Sequence, residues 1–367
     1  MPRKKQKNPT QVVLHLTENC NLRCKMCYFW GESGAYKVES QAKPKNLDLE
    51  VIKKVVEDLK EGRPKPYYNF FGGEPFLYPN FNDLLTLFKD YPFELQTNGI
   101  LLKKYAEKLV ESGIIGVKVS IDGIEEINNL QRGPGAYKKA IEGINLLGRI
   151  KKEMNSKLPR IDLIYTITPL NWKCMKEFFM DNEDLDYSVI NQIEPQLVNF
   201  LTNEMGAEYA KWLKSEFGIT SDKYWKGFIR ELKDFGSIDA VELVKQTDEV
   251  FEYITNIGLN KNLHPPTYSV KNVSNFFKAN WKGMEDLYDF CNFPFVGLDI
   301  MASGDVAPCH TFYDLILGNV YEESILDIWY GDKFNKLRQY ITENKFCPAC
   351  NIGCCMLYIA GNKKPFN

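Results

Sequence analysis

The chain has 367 residues, of which 44% are hydrophobic and 26% charged, and its formal net charge is -2. This length can bury a large core and predicts one large domain with a smaller one. The near-neutral charge does not favour nucleic acid or an acidic membrane surface as a partner. The amino end is basic, but the apolar run that follows it, VVLHLT, is too short for a secretion signal or a membrane span. We therefore expect a cytoplasmic protein that does not span a membrane.

Strand-like and helical segments alternate along the first half of the chain. Short apolar runs predict strands at 11–16, 67–71, 93–96, 115–121, 161–168 and 188–194. Between them, apolar residues at three- and four-residue spacing predict helices at 49–61, 82–91, 102–113, 136–154 and 172–180. Repeated βα units predict an α/β fold with parallel strands, in an open sheet or a full or partial barrel. In such folds chemistry gathers in the loops at the carboxyl ends of the strands.

The rest of the chain has a different character. Residues 196–290 predict a helical insert whose aromatic residues form either its own core or a cover over the active site. These residues are Trp212, Tyr224, Trp225, Phe228, Phe251, Tyr253, Phe276, Phe277 and Trp281. After the insert, 293–309 predicts a hairpin turning near Gly304, and 323–343 predicts a helix. We therefore expect three parts, 1–195, 196–290 and 291–367.

Three cysteines follow the first predicted strand within eight positions, in the segment TENCNLRCKMCYFW. Cys20, Cys24 and Cys27 have CxxxCxxC spacing, which would also place them on one face of a helix. The neighbouring threonine and asparagines favour a loop instead. Structural zinc normally takes four protein ligands, whereas three thiolates on a four-iron cluster would leave one iron open. The spacing therefore favours an iron–sulfur site with an open position.

These cysteines and the segments after the next strands resemble the radical S-adenosylmethionine superfamily. Its CxxxCxΦC signature is matched with Met26 at Φ, followed by FFGGEPFL (70–77), QTNG (96–99), VSIDG (119–123) and the arginine of QRGPG. The resemblance implies a partial (β/α)6 TIM-like barrel, a [4Fe-4S] cluster on the three cysteines, and a flavodoxin- or ferredoxin-type reductant. It also implies contacts to S-adenosylmethionine from Met26, Tyr28, Gly72, Gly73, Glu74, Thr97, Asn98, Ser120, Asp122 and Arg132. Glu74 would hold the amino group of the cofactor, and Ser120 and Arg132 its ribose or carboxylate. Without the resemblance, Arg132 would be interpreted as a solvated residue at the start of a helix.

A second group of cysteines occupies the carboxyl end. The cysteines are Cys291, Cys309, Cys347, Cys350, Cys354 and Cys355. The C-x12-G-x4-C spacing from Cys291 to Cys309 resembles the opening of SPASM and twitch extensions, which carry auxiliary iron–sulfur clusters. Because the tail lacks the later cysteine of a full SPASM extension, we expect one auxiliary [4Fe-4S] cluster. Its preferred ligands are the first four cysteines of the group, with Cys354 or Cys355 as a replacement for one of the last pair.

The sequence allows more than one role for several of the candidate residues. Two cysteines on a hairpin with a CxxC pair would also suit zinc. Asp299 is a candidate catalytic base because related extensions often place an acid there, but a solvated aspartate near a turn is equally compatible with the sequence. His310, His15 and His264 are more simply polar residues than ligands. Cys174 stands outside both groups and is predicted to be a buried helix residue.

Three functions are compatible with these patterns. The first is a radical S-adenosylmethionine oxidoreductase that acts on an unactivated C–H bond of a small metabolite or lipid, with the auxiliary cluster as electron relay. The second is a peptide or protein maturase that forms a thioether, a carbon–carbon crosslink or an oxidised side chain. The third is a non-catalytic iron–sulfur or zinc scaffold. GGEP, QTNG and VSIDG argue against a scaffold, because an electron carrier needs no site for S-adenosylmethionine.

Overall fold

The computed structural model describes residues 7–38, 43–62, 64–264, 269–281, 284, 291–348 and 350. Their core is a single ten-stranded sheet with the strand order β10-β9-β8-β1-β2-β3-β4-β5-β6-β7. No helix in these ranges is long and apolar enough to cross a membrane.

The first six strands form the parallel part of the sheet. They are β1 (Gln11–Thr17), β2 (Tyr67–Gly72), β3 (Phe93–Thr97), β4 (Gly116–Ser120), β5 (Arg160–Ile167) and β6 (Gln192–Leu197). Each pairs with the next in the parallel sense. The helices between them are α1 (Ala35–Val38), α2 (Leu49–Leu59), α3 (Phe81–Leu87), α4 (Leu102–Ser112), α5 (Glu125–Arg132), α6 (Ala136–Glu153) and α7 (Met175–Met180). This arrangement confirms the expected partial TIM-like barrel.

Local sequence accounts for the ends of these elements. Asp48 caps α2 by accepting a hydrogen bond from the backbone N–H of Glu50 at 2.8 Å. Helix α4 ends at Gly113, which adopts the left-handed conformation with φ 72° and closes the turn before β4. Strand β4 is buried at Val117 and Val119 on one face and carries Lys118 and Ser120 on the other. Because β1 to β6 are parallel, their carboxyl ends lie on one side of the barrel.

The insert is mainly helical, as predicted. It contains α8 (Asn203–Trp212), continued by a π-helical turn over Leu213–Phe217, then α9 (Ala240–Asn256) and α10 (Val270–Phe277). A short strand, β7 (Asn260–Lys261), extends the sheet beside β6. Of the predicted aromatic residues, all but the half-buried Tyr253 are buried. They do not all belong to a core of the insert alone, because Tyr224 and Phe228 pack against Phe29 and Tyr28 of the first cysteine loop.

The carboxyl part joins the barrel at its first strand. After α11 (Phe293–Val296), strand β8 (Gly297–Ile300) pairs in parallel with β1 and places Asp299 opposite Val13. Strands β9 (Asp305–Ala307) and β10 (Gly318–Asn319) complete an antiparallel extension of the sheet. Gly304, with φ 84°, makes the predicted turn between β8 and β9.

Some predicted elements are wrong in position or type. The sixth strand was expected at 188–194 but lies at Gln192–Leu197, because Asp186 caps a 3₁₀ turn over Tyr187–Val189. Within the insert, which was predicted to be helical, the stretch 224–235 forms two short 3₁₀ turns instead of an α-helix. The single helix expected over 323–343 is two helices, α12 (Ile325–Tyr330) and α13 (Asp332–Asn344), separated by the extended Gly331. Helix α5 was not predicted.

The structure also corrects the interpretation of Cys174. It is half-buried and lies at the amino-terminal cap of α7, not inside a helix. The chain turns at Thr168 and Asn171, which accept backbone hydrogen bonds and delay the start of α7 to Met175.

Candidate active site

The first cysteine group lies in a loop at the carboxyl end of β1. Its turns are held by hydrogen bonds from the Cys27 N–H to the Cys24 carbonyl at 3.1 Å and from the Gly31 N–H to the Cys27 carbonyl at 2.8 Å. The Trp30 backbone N–H donates to the Cys27 sulfur at 3.3 Å. The loop conformation excludes the interpretation of these cysteines as one face of a helix.

The thiols of this loop are in an environment that favours a cationic partner. Burial raises the pKa of Cys20 to about 12 and that of Cys24 to about 11, and the charge of Cys27 adds to both increases. Thiolates are the ligands that iron–sulfur clusters require, and iron supplies the positive charge that would make ionisation favourable. The donor set therefore fits an iron–sulfur cluster held by three cysteines.

Glu74 is fully buried beside this loop, at the end of β2. Its Oε1 accepts hydrogen bonds from the Thr97 hydroxyl at 2.8 Å and the Phe76 N–H at 3.2 Å, and its Oε2 accepts one from the Asn98 N–H at 2.9 Å. Burial raises the pKa of Glu74 to about 7, although these three hydrogen bonds oppose the increase. A cationic group bound here would favour the ionised carboxylate.

Gly72 and Gly73 bring the backbone after β2 against the cysteine loop. The Gly73 N–H donates to the Thr17 carbonyl at 2.7 Å, and the Glu74 N–H donates to the Asn19 carbonyl at 2.8 Å. Gly72 has φ 120°, which favours glycine. The predicted GGEP segment thus touches the loop that carries Cys20.

Asp122 and Arg132 form a buried ion pair near the same loop. Arg132 Nε lies 2.6 Å from Asp122 Oδ2, and the two side chains are 8% and 0% exposed. Asp122 also accepts hydrogen bonds from Gln131 Nε2 at 2.7 Å and from the Thr166 N–H at 2.8 Å. Burial lowers the pKa of Arg132, but the charge of Asp122 and, less strongly, that of Cys24 raise it above its ordinary value. Arg132 is therefore not the solvated residue at the start of a helix that the sequence allowed, because it is buried at the end of α5.

The other predicted cofactor-binding residues lie in the loop itself or at the carboxyl ends of β3 and β4. Asn98 Nδ2 donates to Asn21 Oδ1 at 2.8 Å, and Ser120 is buried at the end of β4. The Met26 carbonyl accepts a hydrogen bond from Arg230, and the Tyr28 ring stacks on Phe228 with 4.3 Å between centroids. Gln131, which lies beside Asp122, was not among the predicted site residues. In the sequence, only its position directly before Arg132 could have indicated that it belongs to the site.

Asp299 lies between two histidines that come from different parts of the chain. His15 Nε2 donates to Asp299 Oδ2 at 3.0 Å, and His310 Nδ1 donates to the same oxygen. The side chains of His15 and Asp299 are 1% and 0% exposed, whereas that of His310 is 17% exposed. The interpretation of Asp299 as a solvated aspartate is therefore wrong. The histidines were expected to be merely polar, but two of the three bind this carboxylate.

The electrostatics of this group favour an ionised aspartate. Burial alone would raise the pKa of Asp299, but His310 and His15 together hold it below its ordinary value. Burial lowers the pKa of His15, so this imidazole is neutral and donates from Nε2. Both histidine nitrogens and the carboxylate oxygen lie within 4.8 Å of one another, and the two hydrogen bonds account for that proximity without a metal.

The second cysteine group forms a separate site. Cys291, Cys309, Cys347 and Cys350 line one cavity together with Thr311, Phe312 and apolar residues of α13. Burial raises the pKa of Cys309 and of Cys347, and the charge of Cys291 adds to both increases. Four thiols at one cavity fit an iron–sulfur cluster, and their number alone would also fit zinc. The preferred ligands are thus brought together, while Cys354 and Cys355 lie outside the described residues.

Comparison with known sequences divides the chain in the same way. Residues 14–181 match the family described as the radical SAM superfamily, and residues 291–355 match SPASM, described as an iron–sulfur cluster-binding domain. The tungsten-containing aldehyde ferredoxin oxidoreductase cofactor-modifying protein of Pyrococcus furiosus is 25% identical over 361 residues, which cover 92% of this chain and 85% of that protein.

Two solved structures share the fold. Streptococcus suis SuiB bound to its precursor peptide SuiA has a TM-score of 0.62 at 16% identity, covering 96% of this chain and 73% of SuiB. The enzyme anSMEcpe with AdoMet and the Cp18Cys peptide has a TM-score of 0.54 at 19% identity, covering 90% of this chain and 82% of anSMEcpe. The two family matches, over residues 14–181 and 291–355, identify a radical S-adenosylmethionine enzyme with a carboxyl-terminal SPASM domain, whose cofactors are S-adenosylmethionine, a [4Fe-4S] cluster and auxiliary iron–sulfur.

Proposed function

We propose that this enzyme removes a hydrogen atom from an unactivated C–H bond of a small organic molecule and completes a two-electron oxidation. One observation carries the proposal: Asp299 is buried between two histidines, each of which precedes or follows a predicted cluster ligand in the chain. It binds His15, on the strand that leads to Cys20, and His310, the residue after Cys309. In this proposal the substrate radical left by hydrogen abstraction passes its second electron to the auxiliary cluster, and the buried, ionised carboxylate of Asp299 takes the proton that is released.

In this proposal the chain's own residues hold the cofactors and move one proton. Cys20, Cys24 and Cys27 are the ligands of the first cluster, and Cys291, Cys309, Cys347 and Cys350 hold one auxiliary cluster. These residues would hold the cluster and S-adenosylmethionine, which together would supply the radical chemistry for hydrogen abstraction once a flavodoxin- or ferredoxin-type reductant provides an electron. Glu74 binds the cofactor's ammonium group, while Ser120, Arg132 and the backbone at Gly72 and Gly73 orient the rest of the cofactor. Thr97, Asn98 and Asp122 support these contacts. Met26 and Tyr28 line the cofactor site on the side where the cluster is bound.

Asp299 is the proposed catalytic base. Its Oδ2 accepts both histidine hydrogen bonds, and its Oδ1 makes no hydrogen bond within the described part of the chain. The lone pairs of Oδ1 therefore remain for a substrate proton. His15 and His310 orient the carboxylate, and their hydrogen bonds keep it ionised at neutral pH.

The small-molecule substrate is supported by the relative from Pyrococcus furiosus, whose name describes modification of a cofactor and whose similarity covers most of both chains. A peptide substrate is the second candidate, because SuiB and anSMEcpe are solved with bound peptides. Their identity to this chain is below 20%, so they support the fold more strongly than the substrate class. Thiolate-rich sites also suit a reducing compartment, and we propose a cytoplasmic location on that ground.

Anaerobic reconstitution followed by dithionite-driven release of 5'-deoxyadenosine tests the chemistry. We expect about eight irons in the wild type, and about four irons with no release in a Cys20→Ala/Cys24→Ala/Cys27→Ala variant. A triple variant that still releases 5'-deoxyadenosine would refute the assignment of these ligands.

The substrate class requires a second experiment. Small-molecule ultrafiltrates of cell extract, with and without protease treatment, are added to the reconstituted enzyme, and 5'-deoxyadenosine is measured. Stimulation that survives protease supports a small molecule, whereas stimulation that protease abolishes supports the peptide alternative. Asp299→Asn provides the test of the base: it is expected to form 5'-deoxyadenosine with the stimulating fraction but to lose the oxidised product.

A further inference from the structure

Residues 221–230 of the insert, which we name the bridging segment, lie between the two cysteine sites. On one side, Asp314 of the carboxyl-terminal part accepts hydrogen bonds from the Tyr224 N–H at 3.1 Å and the Trp225 N–H at 2.8 Å. Asp314 is 2% exposed and is five residues from Cys309. The bridging segment is thus tied to the chain that carries the second group of thiols.

On its other side, the bridging segment touches the first cysteine loop through its backbone. A Cβ at Gly227 would lie 2.2 Å from the Tyr28 carbonyl oxygen and 3.3 Å from the Ala35 nitrogen. Phe228 stacks on Tyr28 with 14° between the ring planes. The bridging segment therefore contacts the loop directly after Cys27.

Arg230 ends the bridging segment and binds this loop at two places. Its Nη2 donates to the Met26 carbonyl at 3.1 Å, and its Nη1 donates to the Ser33 hydroxyl at 3.1 Å. Nη1 also donates to the carbonyls of Gly227 and Ile229, at 2.9 and 2.7 Å. Met26 lies between Cys24 and Cys27, so the guanidinium restrains the part of the loop that presents two of the three thiols.

The charge of Arg230 is available to that site. Its hydrogen bonds within the described part of the chain go to neutral oxygens, so no carboxylate among these partners neutralises it. Burial lowers the pKa of Arg230, and the negative charge of Cys27 and, less strongly, that of Asp234 oppose the decrease. A guanidinium remains protonated in proteins, so it is a fixed cation beside Cys27.

We propose that Arg230 is a positioning residue that holds the Met26–Cys27 part of the loop and raises the reduction potential of the cluster bound there. A cluster gains negative charge on reduction, and a nearby fixed cation stabilises the reduced form. The insert would thereby help to set how easily the first cluster accepts its electron. This inference rests on the proposed function, because it requires Cys20, Cys24 and Cys27 to hold that cluster.

Redox potentiometry of the reconstituted protein tests the inference without a substrate. The wild type is compared with Arg230→Gln, Arg230→Lys and Lys226→Gln, and the first cluster is identified by the change in its electron paramagnetic resonance signal when S-adenosylmethionine is added. Lys226→Gln is the matched control, because Lys226 belongs to the same segment but is 57% exposed and pairs with Asp222.

We expect Arg230→Gln to lower the equilibrium constant for reduction of the first cluster about tenfold. This corresponds to a shift of about 59 mV to more negative potential for a one-electron couple. Arg230→Lys, which keeps the charge, and Lys226→Gln should keep a potential close to that of the wild type. A wild-type potential in Arg230→Gln would overturn the inference, and so would an equal shift in Lys226→Gln.

Two further outcomes remain decisive. If Arg230→Gln binds no first cluster, the inference stands only when Arg230→Lys keeps both its iron and its potential; loss of the cluster from both variants overturns it. Failure of the proposed function gives a different result from failure of this inference. If Cys20, Cys24 and Cys27 do not hold the first cluster, the triple cysteine variant retains the cluster whose signal responds to S-adenosylmethionine.

Discussion

Gly73→Ala tests the close approach between the GGEP segment and the cysteine loop. A Cβ at this position would lie 2.1 Å from the Asn19 carbonyl oxygen and 2.6 Å from its carbonyl carbon. Real Cβ atoms essentially never come within 3.0 Å of another heavy atom, and both neighbours here are backbone atoms that cannot rotate away. The substitution must therefore move the backbone directly before Cys20.

The magnitude follows from two contributions. Overpacking of this kind costs about 1–3 kcal/mol of folding free energy. The displaced carbonyl also accepts the Glu74 N–H hydrogen bond of 2.8 Å, and losing a backbone hydrogen bond costs about 1 kcal/mol. We expect Gly73→Ala to lose about 2–4 kcal/mol of stability and, because Cys20 shifts relative to Cys24 and Cys27, to lose iron and most 5'-deoxyadenosine release.

Denaturant unfolding, iron content and dithionite-driven 5'-deoxyadenosine release are the measurements, and Gly113→Ala is the matched control. Gly113 has φ 72° and no atom within 4 Å of an added Cβ, so alanine there costs only conformational strain of about 1–2 kcal/mol. It should destabilise the protein without affecting iron or cleavage. Wild-type iron content and cleavage in Gly73→Ala would refute the reasoning, and an equal loss of cleavage in Gly113→Ala would show that stability alone is responsible.

Two further predictions concern the charge of Glu74 and the second cysteine group. Because Glu74 ionises as the pH rises through its raised pKa of about 7, and only the carboxylate attracts an ammonium group, binding of S-adenosylmethionine should strengthen between about pH 6 and about pH 8 in anaerobic titrations. Glu74→Gln should bind more weakly and lose this pH dependence, whereas a flat wild-type profile would contradict the assignment. Cys347→Ala should lose about half of the iron yet still release 5'-deoxyadenosine, while Cys174→Ala, a cysteine outside both groups, should keep all its iron. Full iron content in Cys347→Ala would remove Cys347 from the ligand set.

Local patterns were sufficient to place the barrel strands and the motifs that follow them. The strands predicted at 11–16, 67–71 and 93–96 agree with β1, β2 and β3 to within one residue at each end. Their apolar residues are close together in sequence, so local spacing reports burial directly. Parallel strands bring their carboxyl ends together, and the cysteine loop, GGEP and QTNG therefore had to meet.

Where long-range contacts override local preference, the predictions failed. Residues 224–235 have the composition of a helix, but Asp314, 89 residues beyond Trp225, accepts the N–H groups of Tyr224 and Trp225 and fixes a short turn. Periodicity in a sequence cannot indicate a hydrogen bond to a distant carboxylate. Arg230, on the same segment, had no local signal for a role at the cysteine loop.

By itself, the sequence determined that two groups of thiols follow predictable elements and that the first has room for a cofactor on an open iron. Only the tertiary structure decided what lies between the two groups. Pairing of β8 with β1 places Asp299 beside His15, 284 positions away in the chain, and the turn after β9 adds His310. Burial would raise the pKa of this aspartate, but the two histidines hold it below its ordinary value. That pKa depends on which groups surround the carboxylate, and the surroundings exist only after strands from opposite ends of the chain have paired.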